Sequence, residues 1–245
     1  MNQKYLRRLV LSGFIFLLLS SCSDVTQSQG QLYRLVYLGN ENTEGTPPAS
    51  AQALPGTAII VAVNSGNLTK TERYFAGWNT KPDGSGTFYK PGTSLILEYD
   101  LDLYAQWKDG PVDKTFYAVT VDNQWYTVNA EVLAENDLCI VYGDINEEIS
   151  PEAAKAIADE YRTNIYPKIT GAFGNISYMS NNRDPADGKA KISLLLLDII
   201  DGAAMSGGYV AGYFDSIHMY NATHSNQTAM LFMDVNPGDP SKTEN

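Results

Sequence analysis

Two aspartates are the first residues in this sequence whose types and spacing could do chemistry. Asp198 and Asp201 stand at the end of an apolar stretch at residues 192–200. Two carboxylates in one site can serve as general acid and general base. Their position at the end of a predicted strand, beside a glycine, instead favours capping of a turn. We therefore expect both aspartates to be structural.

Two histidines, His218 and His224, are the other candidates. Helical zinc motifs place histidines at i and i+4 with a glutamate between them, whereas these two are six positions apart with no glutamate between them. Two exposed loop histidines are the better interpretation. The sequence thus predicts no catalytic residues, no metal ligands and no cofactor-binding residues.

Composition limits the classes of protein that have to be considered. The 245 residues are 44% hydrophobic and 11% aromatic, which is enough for one large domain or two modest ones. The formal net charge of −11 argues against a nucleic-acid partner, because nucleic-acid binding requires a basic face. We expect a soluble extracytoplasmic protein.

The N-terminus carries a targeting signal. The basic residues Lys4, Arg7 and Arg8 precede a short apolar stretch at residues 9–19, which is the pattern of a secretory signal. The segment ends in Leu-Ser-Ser-Cys and resembles the bacterial lipobox, with Cys22 as the lipidated residue. The alternatives are an uncleaved anchor helix and a chance cysteine.

The lipobox resemblance implies a lipoprotein. Residues 1–21 would be the signal peptide, and Cys22 would carry a diacylglycerol thioether, with palmitate among the acyl groups. The lipid would anchor the protein to a membrane of the bacterial cell envelope, on the periplasmic face or at the cell surface. Polar residues 22–31 are typical of a flexible tether. The other cysteine, Cys139, lies in an apolar context and is expected to be buried and unreactive.

Residues 32–107 contain the most specific pattern in the chain. Strand-like stretches alternate with turn signals, and two tryptophans, Trp78 and Trp107, are large enough to anchor a small core. Asp83 lies in a DGSG turn. A lone carboxylate falls far short of the ligand set that Ca²⁺ needs, so we expect Asp83 to act in the turn.

Five motifs follow one another here: YLGN, GTPPAS, RYFAGWNTKPDGSGT, YKPGT and LYAQW. Together they resemble the Listeria–Bacteroides repeat, also called the internalin-B-type B repeat. The resemblance implies a β-grasp-like module with a spacing or adhesion role, a surface protein or polysaccharide as partner, and no catalysis. Arg73 stands where the family usually has glycine.

A charged Gly-Pro segment at residues 108–114 predicts a linker, followed by a second region at residues 115–245. We expect a hairpin and two further strands there, at residues 116–121, 124–128, 130–134 and 138–142. The apolar face of the hairpin is predicted to consist of Val119, Val121, Tyr126 and Val128.

A helix is predicted at residues 150–166. Ser150 is a favoured N-cap and Pro151 suits the first helical position, while Pro167 should end or kink the helix. The pattern predicts a buried stripe made of Ala154, Ile157, Ala158, Tyr161 and Ile165. A buried strand is expected at residues 192–200.

The second region resembles the N-terminal part of hyicolysin-type zinc metallopeptidases, through the segments SLLLLDIIDG, GGYVAGYFD and MLFMDVNP. The sequence departs from that family because it has no His-Glu-x-x-His motif, which binds zinc and positions the general base. The resemblance implies that residues 115–245 are an incomplete mixed α/β domain, with the zinc helix beyond residue 245. The expected fold class of the whole chain is therefore α+β.

Two functions remain open, together with a third role for one loop. The first is a membrane-anchored, non-catalytic lipoprotein with a surface adhesion or spacer module. The alternative is the N-terminal part of a membrane-tethered zinc endopeptidase, which would need zinc only if the chain continues into the motif. The third is a binding module in which aromatic residues at 207–214 contact a polysaccharide or protein.

Overall fold

Two β-sheets and a smaller two-stranded ribbon form the framework of the described part of the chain. The computed structural model describes residues 30–110, 112–174, 190–201 and 209–236. From Gln31 onward the described residues form one compact unit. The fold is mainly β with some helix, so the predicted combination of strands and helix is present. The β-grasp likeness and the domain bounds stay predictions. Residues 1–29, with the predicted signal peptide and Cys22, lie outside the described residues.

Residues 32–107, called the repeat module below, contain seven strands. They are β1 (Tyr33–Leu38), β2 (Ala51–Ala53), β3 (Thr57–Ile60), β4 (Tyr74–Asn79), β5 (Phe88–Tyr89), β6 (Ser94–Leu97) and β7 (Leu101–Lys108). Five form a sheet of order β2-β1-β7-β4-β5, in which β1 and β7 run parallel. β3 and β6 form a separate antiparallel ribbon.

The core of the repeat module is built around Trp78, which is completely buried. Its ring lies against Tyr37 and Phe75, with centroids 4.7 and 5.1 Å away. The indole Nε1 donates to the Ala62 carbonyl at 2.8 Å, and the Tyr37 hydroxyl accepts from the Ala62 N–H at 2.8 Å. These bonds fix Ala62 after β3 has ended, and so they set the path of the chain through Val63.

The second sheet has six strands in the order β12-β13-β11-β10-β9-β8. The strands are β8 (Lys114–Val119), β9 (Trp125–Glu135), β10 (Cys139–Asp144), β11 (Ile192–Leu197), β12 (Gly212–Tyr213) and β13 (Met230–Asp234). β10, β11 and β13 are parallel neighbours, and the other pairings are antiparallel. The carboxyl ends of the three parallel strands therefore meet at one edge.

The central strand β11 is buried on both faces, which explains its continuous run of apolar residues. Leu195 and Leu197 pack on one side with Phe116, Met230 and the repeat-module residue Val63. The side chains on the opposite side pack against the helix: Ile192, Leu194 and Leu196. The strand ends at Leu197 rather than at residue 200, because the backbone of Ile199 turns to donate to the Asp234 carboxylate.

The predicted hairpin forms, but its apolar face was predicted wrongly in part. Tyr126 and Val128 are buried as expected, whereas Val121 is 51% exposed and Val119 is half-buried. Phe116 and Ala118 supply the buried face of β8 instead. β8 ends at Val119, so Val121 lies beyond the strand and its alternation.

The helical segment starts as predicted and runs further than predicted. Ser150 caps α1 (Pro151–Glu160), with its hydroxyl accepting from the Ala153 N–H at 3.0 Å. A π-helical turn follows at Tyr161–Ile165, and then α2 (Tyr166–Phe173). The helix does not end near Tyr166. The Tyr166 N–H donates to the Tyr161 carbonyl five residues earlier, and this wider turn accommodates Pro167 within the helical segment.

The predicted helical stripe is confirmed where α1 meets the sheet. Ala154, Ala158 and Tyr161 are buried against β9 and β10. Ile157 is half-buried, and Ile165 is 40% exposed. The π turn shifts the phase of the helix, which carries Ile165 off the buried face. Among the described residues, no helix has the length and apolar character needed to cross a membrane.

Candidate functional site

Carboxylates gather where the parallel strands end. Asp144 closes β10, Asp198 follows β11 and Asp234 closes β13. Glu147 adds a further carboxylate in the turn after β10. Ligand sites of open parallel sheets lie at this edge, so it is the first place to look for function.

The repeat module supplies the cation that meets these carboxylates. Lys90 Nζ lies 2.6 Å from Asp198 Oδ2 and 2.6 Å from Glu147 Oε1. The side chain of Glu147 is 9% exposed, that of Lys90 is 29% exposed and that of Asp198 is 28% exposed. Burial would lower the pKa of Lys90, but the hydrogen bonds to Asp198 and Glu147 raise it above its ordinary value.

The backbone around Lys90 is fixed by a tight turn. The Lys90 carbonyl accepts from the Thr93 hydroxyl at 2.7 Å, and the Gly92 N–H donates to the Val61 carbonyl at 2.8 Å. Gly92 has φ +84°, and a Cβ there would lie 2.9 Å from Ile200 Cγ1. The YKPGT motif therefore forms the part of the repeat module that contacts the sheet.

Asp144 has the most perturbed carboxyl group of the cluster. Burial raises the pKa of Asp144 to about 7, and the Glu147 carboxylate adds to the increase, against a hydrogen bond from the Asn146 N–H. Burial likewise raises the pKa of Glu147. Asp144 and Glu147 line a cavity of about 50 Å³ together with Phe75 and Ala76 of the repeat module.

The two aspartates singled out in the sequence have different roles. Asp201 Oδ2 accepts from the Val210 N–H at 2.6 Å, which fits the capping role predicted for it. The prediction for Asp198 was wrong, because this side chain pairs with Lys90 from 108 positions earlier in the chain. A partner so distant in sequence cannot be read from local turn chemistry.

His218 is fully buried, so the prediction of an exposed loop histidine was wrong for this residue. A 3₁₀ turn at Ser216–Met219 folds its ring against Phe232 and Trp125. Its Nδ1 accepts from the Asn226 N–H at 3.2 Å, which places the proton of the neutral ring on Nε2. Burial lowers the pKa of His218 and so favours this neutral form.

His224 is half-buried and stacks on Trp125, with centroids 5.2 Å apart and ring planes 11° apart. Its φ of +61° is uncommon for a residue with a side chain. Asn226 secures this loop by donating to the Tyr117 carbonyl and accepting from the Tyr117 N–H. Both histidines therefore act as packing groups beside Trp125.

The described residues do not fit a zinc site. They contain no group of three or more His, Cys, Asp or Glu side chains suited to hold a metal ion. His218 already uses Nδ1 as an acceptor in a buried environment. The residues from 237 onward, where the zinc helix was expected to follow, lie outside the described part of the chain.

The aromatic loop predicted as a binding surface is described only from Tyr209. Tyr209 and Phe214 are 58% and 52% exposed. Tyr213 instead stacks on Phe232 at 4.3 Å and packs against its own domain. Residues 202–208 lie outside the described residues.

Cys139 and Asp83 behave as their local contexts suggested. Cys139 is buried, and burial raises the pKa of its thiol to about 11. The Asp83 carboxylate accepts from the Ser85 N–H at 3.0 Å and from the Ser85 hydroxyl at 2.8 Å. The first residue is therefore unreactive, and the second shapes a turn.

The residues that matter most at the sheet edge were missed from the sequence. Lys90 lies more than 50 positions before Asp144 and Glu147, and the three residues match no motif for a charged site. One signal was available: Lys90 lies within the YKPGT motif, between an aromatic residue and the Pro-Gly turn. A strand ending in an acidic residue, as β10 does, is too common to single out Asp144.

Comparison with protein families supports the resemblance that the sequence predicts for residues 32–107. Residues 33–106 match the Listeria-Bacteroides repeat domain. The match covers the strands β1 to β6, most of β7 and the turn that carries Lys90. This region therefore contains a Listeria-Bacteroides repeat domain.

Three curated relatives share part of the chain. A putative Gly-rich membrane protein of Evansella cellulosilytica is 29% identical over 111 residues, which are 43% of this chain and 13% of that protein. The neutral metalloprotease ShpI of Staphylococcus hyicus is 32% identical over 89 residues, which are 36% of this chain and 19% of that protein. A putative membrane protein of Evansella cellulosilytica is 27% identical over 144 residues, 51% of this chain and 22% of that protein. The matched segments thus span less than a quarter of each relative.

Proposed function

We propose that this chain is a lipid-anchored extracytoplasmic protein of the bacterial envelope in which the repeat module acts as a rigid, non-catalytic adhesion or spacer unit. The repeat domain and the two relatives named as putative membrane proteins fit a surface-associated protein. Cys22 in its lipobox-like context supplies the membrane attachment. The partner is a surface protein or a polysaccharide, not a nucleic acid.

The observation that carries this proposal is the packing of the repeat module on the second sheet. Val63 of the repeat module is buried in the core of the sheet, and Lys90 bridges to two of the sheet's carboxylates. A module held through both apolar and charged contacts keeps its direction relative to its neighbour. Such a unit can present a binding surface in a fixed orientation relative to the second sheet.

The anchor is tested by replacing the acylated cysteine. In cells fed labelled palmitate, the unsubstituted chain is expected to take up label and to enter the detergent phase of a Triton X-114 extract. Cys22→Ser should lose both properties, whereas the matched control Cys139→Ser should keep them. Retention of label and detergent partitioning by Cys22→Ser would exclude lipid anchoring at this residue.

A second candidate function rests on the match to a metalloprotease. In this alternative, the six-stranded sheet and α1 support a zinc endopeptidase domain whose His-Glu-x-x-His helix lies in a continuation of the chain. The test is the intact mass and zinc content of the native protein extracted from its own membranes. A much larger species with one zinc per chain supports the peptidase, and a zinc-free species of the size of residues 22–245 plus lipid excludes it.

A further inference from the structure

The contact between the repeat module and the six-stranded sheet, called the joint below, has a charged half and an apolar half. The charged half consists of Lys90 between Glu147 and Asp198. The apolar half consists of Val63, which is 4% exposed, and of Gly92 packed against Ile200. Asn146 adds one polar contact, since its Nδ2 donates to the Phe75 carbonyl at 3.4 Å.

The charges in the joint are unbalanced. One cation, Lys90, faces three carboxylates, those of Asp144, Glu147 and Asp198. Lys90 forms ion pairs with the last two, and Asp144 lines the same cavity as all three residues. Like charges at short range disfavour simultaneous ionisation, most strongly where water is excluded. A proton on Asp144 relieves this repulsion without breaking either ion pair.

Among the described groups around Asp144, Lys90 is the one cation, and its lowering of the Asp144 pKa is outweighed by burial, which raises it. Glu147 and Asn146 face it from its own turn, and Lys90 faces it across the joint. Burial raises the pKa of Tyr126 on β9 and of Tyr74 on β4, and the charge of Asp144 adds to each increase. The remaining titratable residue that lines the cavity is Asp198, which follows β11.

We propose that Lys90, Glu147 and Asp198 clamp the repeat module onto the sheet, and that proton uptake by Asp144 tightens this joint. The repeat module is then held most firmly in mildly acidic surroundings and less firmly as the pH rises through neutrality. This property goes beyond adhesion or spacing, and it does not depend on whether Cys22 is lipidated.

The direction of the effect follows from linkage between proton binding and docking. The pKa of Asp144 is about 7 in the docked joint, against an ordinary value of 3.8. The docked state therefore binds the proton more tightly, and the contribution of Asp144 to docking is lost as pH rises through 7. The raised pKa of Glu147 acts in the same direction. Lys90 stays charged throughout, because its pKa is raised above 10.5.

The size of the effect can be worked out for Asp144 alone. If the carboxyl regains its ordinary pKa of 3.8 on undocking, the docking equilibrium constant falls about tenfold between pH 6 and pH 8. Above pH 8 the constant changes little further through this group.

Two neighbouring valines provide a matched pair of reporters. Val63 is buried in the core of the six-stranded sheet, and Val61 is buried in the core of the repeat module. Undocking exposes position 63 but leaves position 61 covered. In the full chain in mild detergent, Val63→Cys and Val61→Cys are each labelled with a thiol reagent at pH 6, 7 and 8. Each labelling rate is divided by the rate for an unfolded cysteine peptide at the same pH. Peptide mass mapping confirms which cysteine carries the label.

The normalised rate at position 63 is expected to rise about tenfold from pH 6 to pH 8, while the rate at position 61 stays constant. Asp144→Asn should remove the pH dependence and keep position 63 protected, and Lys90→Met should raise its labelling already at pH 6. The matched control Lys81→Met, an exposed lysine of the same module, should change neither rate.

Three results would overturn the proposal: a flat rate at position 63, an equal rise at both positions, or an unchanged pH dependence in Asp144→Asn. A second measurement needs no substitution in the core. Carbon-13 NMR titration of the Asp144 carboxyl in the unsubstituted chain should give an apparent pKa near 7, as burial in the joint requires. A value near 4 would refute the joint as a proton-sensitive contact.

Discussion

Replacing Trp78 with alanine tests whether one residue holds the repeat module together. The side chain is completely buried against Tyr37 and Phe75, and its Nε1 bonds to the Ala62 carbonyl. Truncation of a buried tryptophan costs about 3–5 kcal/mol, and the lost hydrogen bond contributes about 1 kcal/mol of that. Folded domains have only about 5–15 kcal/mol in total.

Trp107→Ala is the matched control. Trp107 also donates its indole N–H to a backbone carbonyl, that of Asn40 at 2.8 Å, but its ring is only partly buried. It should therefore lose less stability than Trp78→Ala, because it buries less of its apolar surface. The free energy of unfolding is measured by urea titration of the full chain in mild detergent, followed by circular dichroism. Equal losses in the two variants would refute the assignment of Trp78 as the central anchor.

Two further outcomes follow from single residues. Gly92→Ala should destabilise the chain more than Gly56→Ala in the same urea titration. Both glycines have positive φ, which costs alanine about 1–2 kcal/mol. A Cβ at Gly92 would also lie against Ile200, whereas a Cβ at Gly56 would contact nothing in the described part of the chain. Equal losses would show that the Ile200 contact is soft. The pKa of Cys139 is about 11. Its alkylation by iodoacetamide at pH 8 should therefore be at least about 100-fold slower in the folded chain than in urea. Comparable rates in the two conditions would show that the thiolate is accessible.

Local signals in the sequence predicted the elements that depend on a few adjacent residues. The Ser150-Pro151 start of α1, the DGSG turn and the alternation of the strands depend on backbone preferences and short-range hydrogen bonds. Errors arose where the helix departed from its regular period and where the wrong strand face was predicted. The π turn at Tyr161–Ile165 carried Ile165 to the surface, and Val119 lies on the face of β8 opposite to the buried Phe116 and Ala118.

The candidate site was the least predictable part. The local sequence predicted that Asp198 caps a turn and that His218 is exposed, because it contains only the chain neighbours of each residue. The structure brings Lys90 to Asp198 from 108 positions away, and it closes a 3₁₀ turn that buries His218. Charge pairing and burial are properties of the packed chain, and no local pattern encodes them.

The sequence by itself determined the repeat motif, the lipobox-like N-terminus and the acidic balance, since each is written in consecutive residues. The tertiary structure alone decided that the Pro-Gly turn of the repeat module lies against the carboxyl ends of the parallel strands. Only there does Lys90 meet two carboxylates, and only there does burial raise the pKa of Asp144 to about 7. The physical reason is that the energy of a charge depends on the dielectric and on the neighbouring charges, and folding sets both.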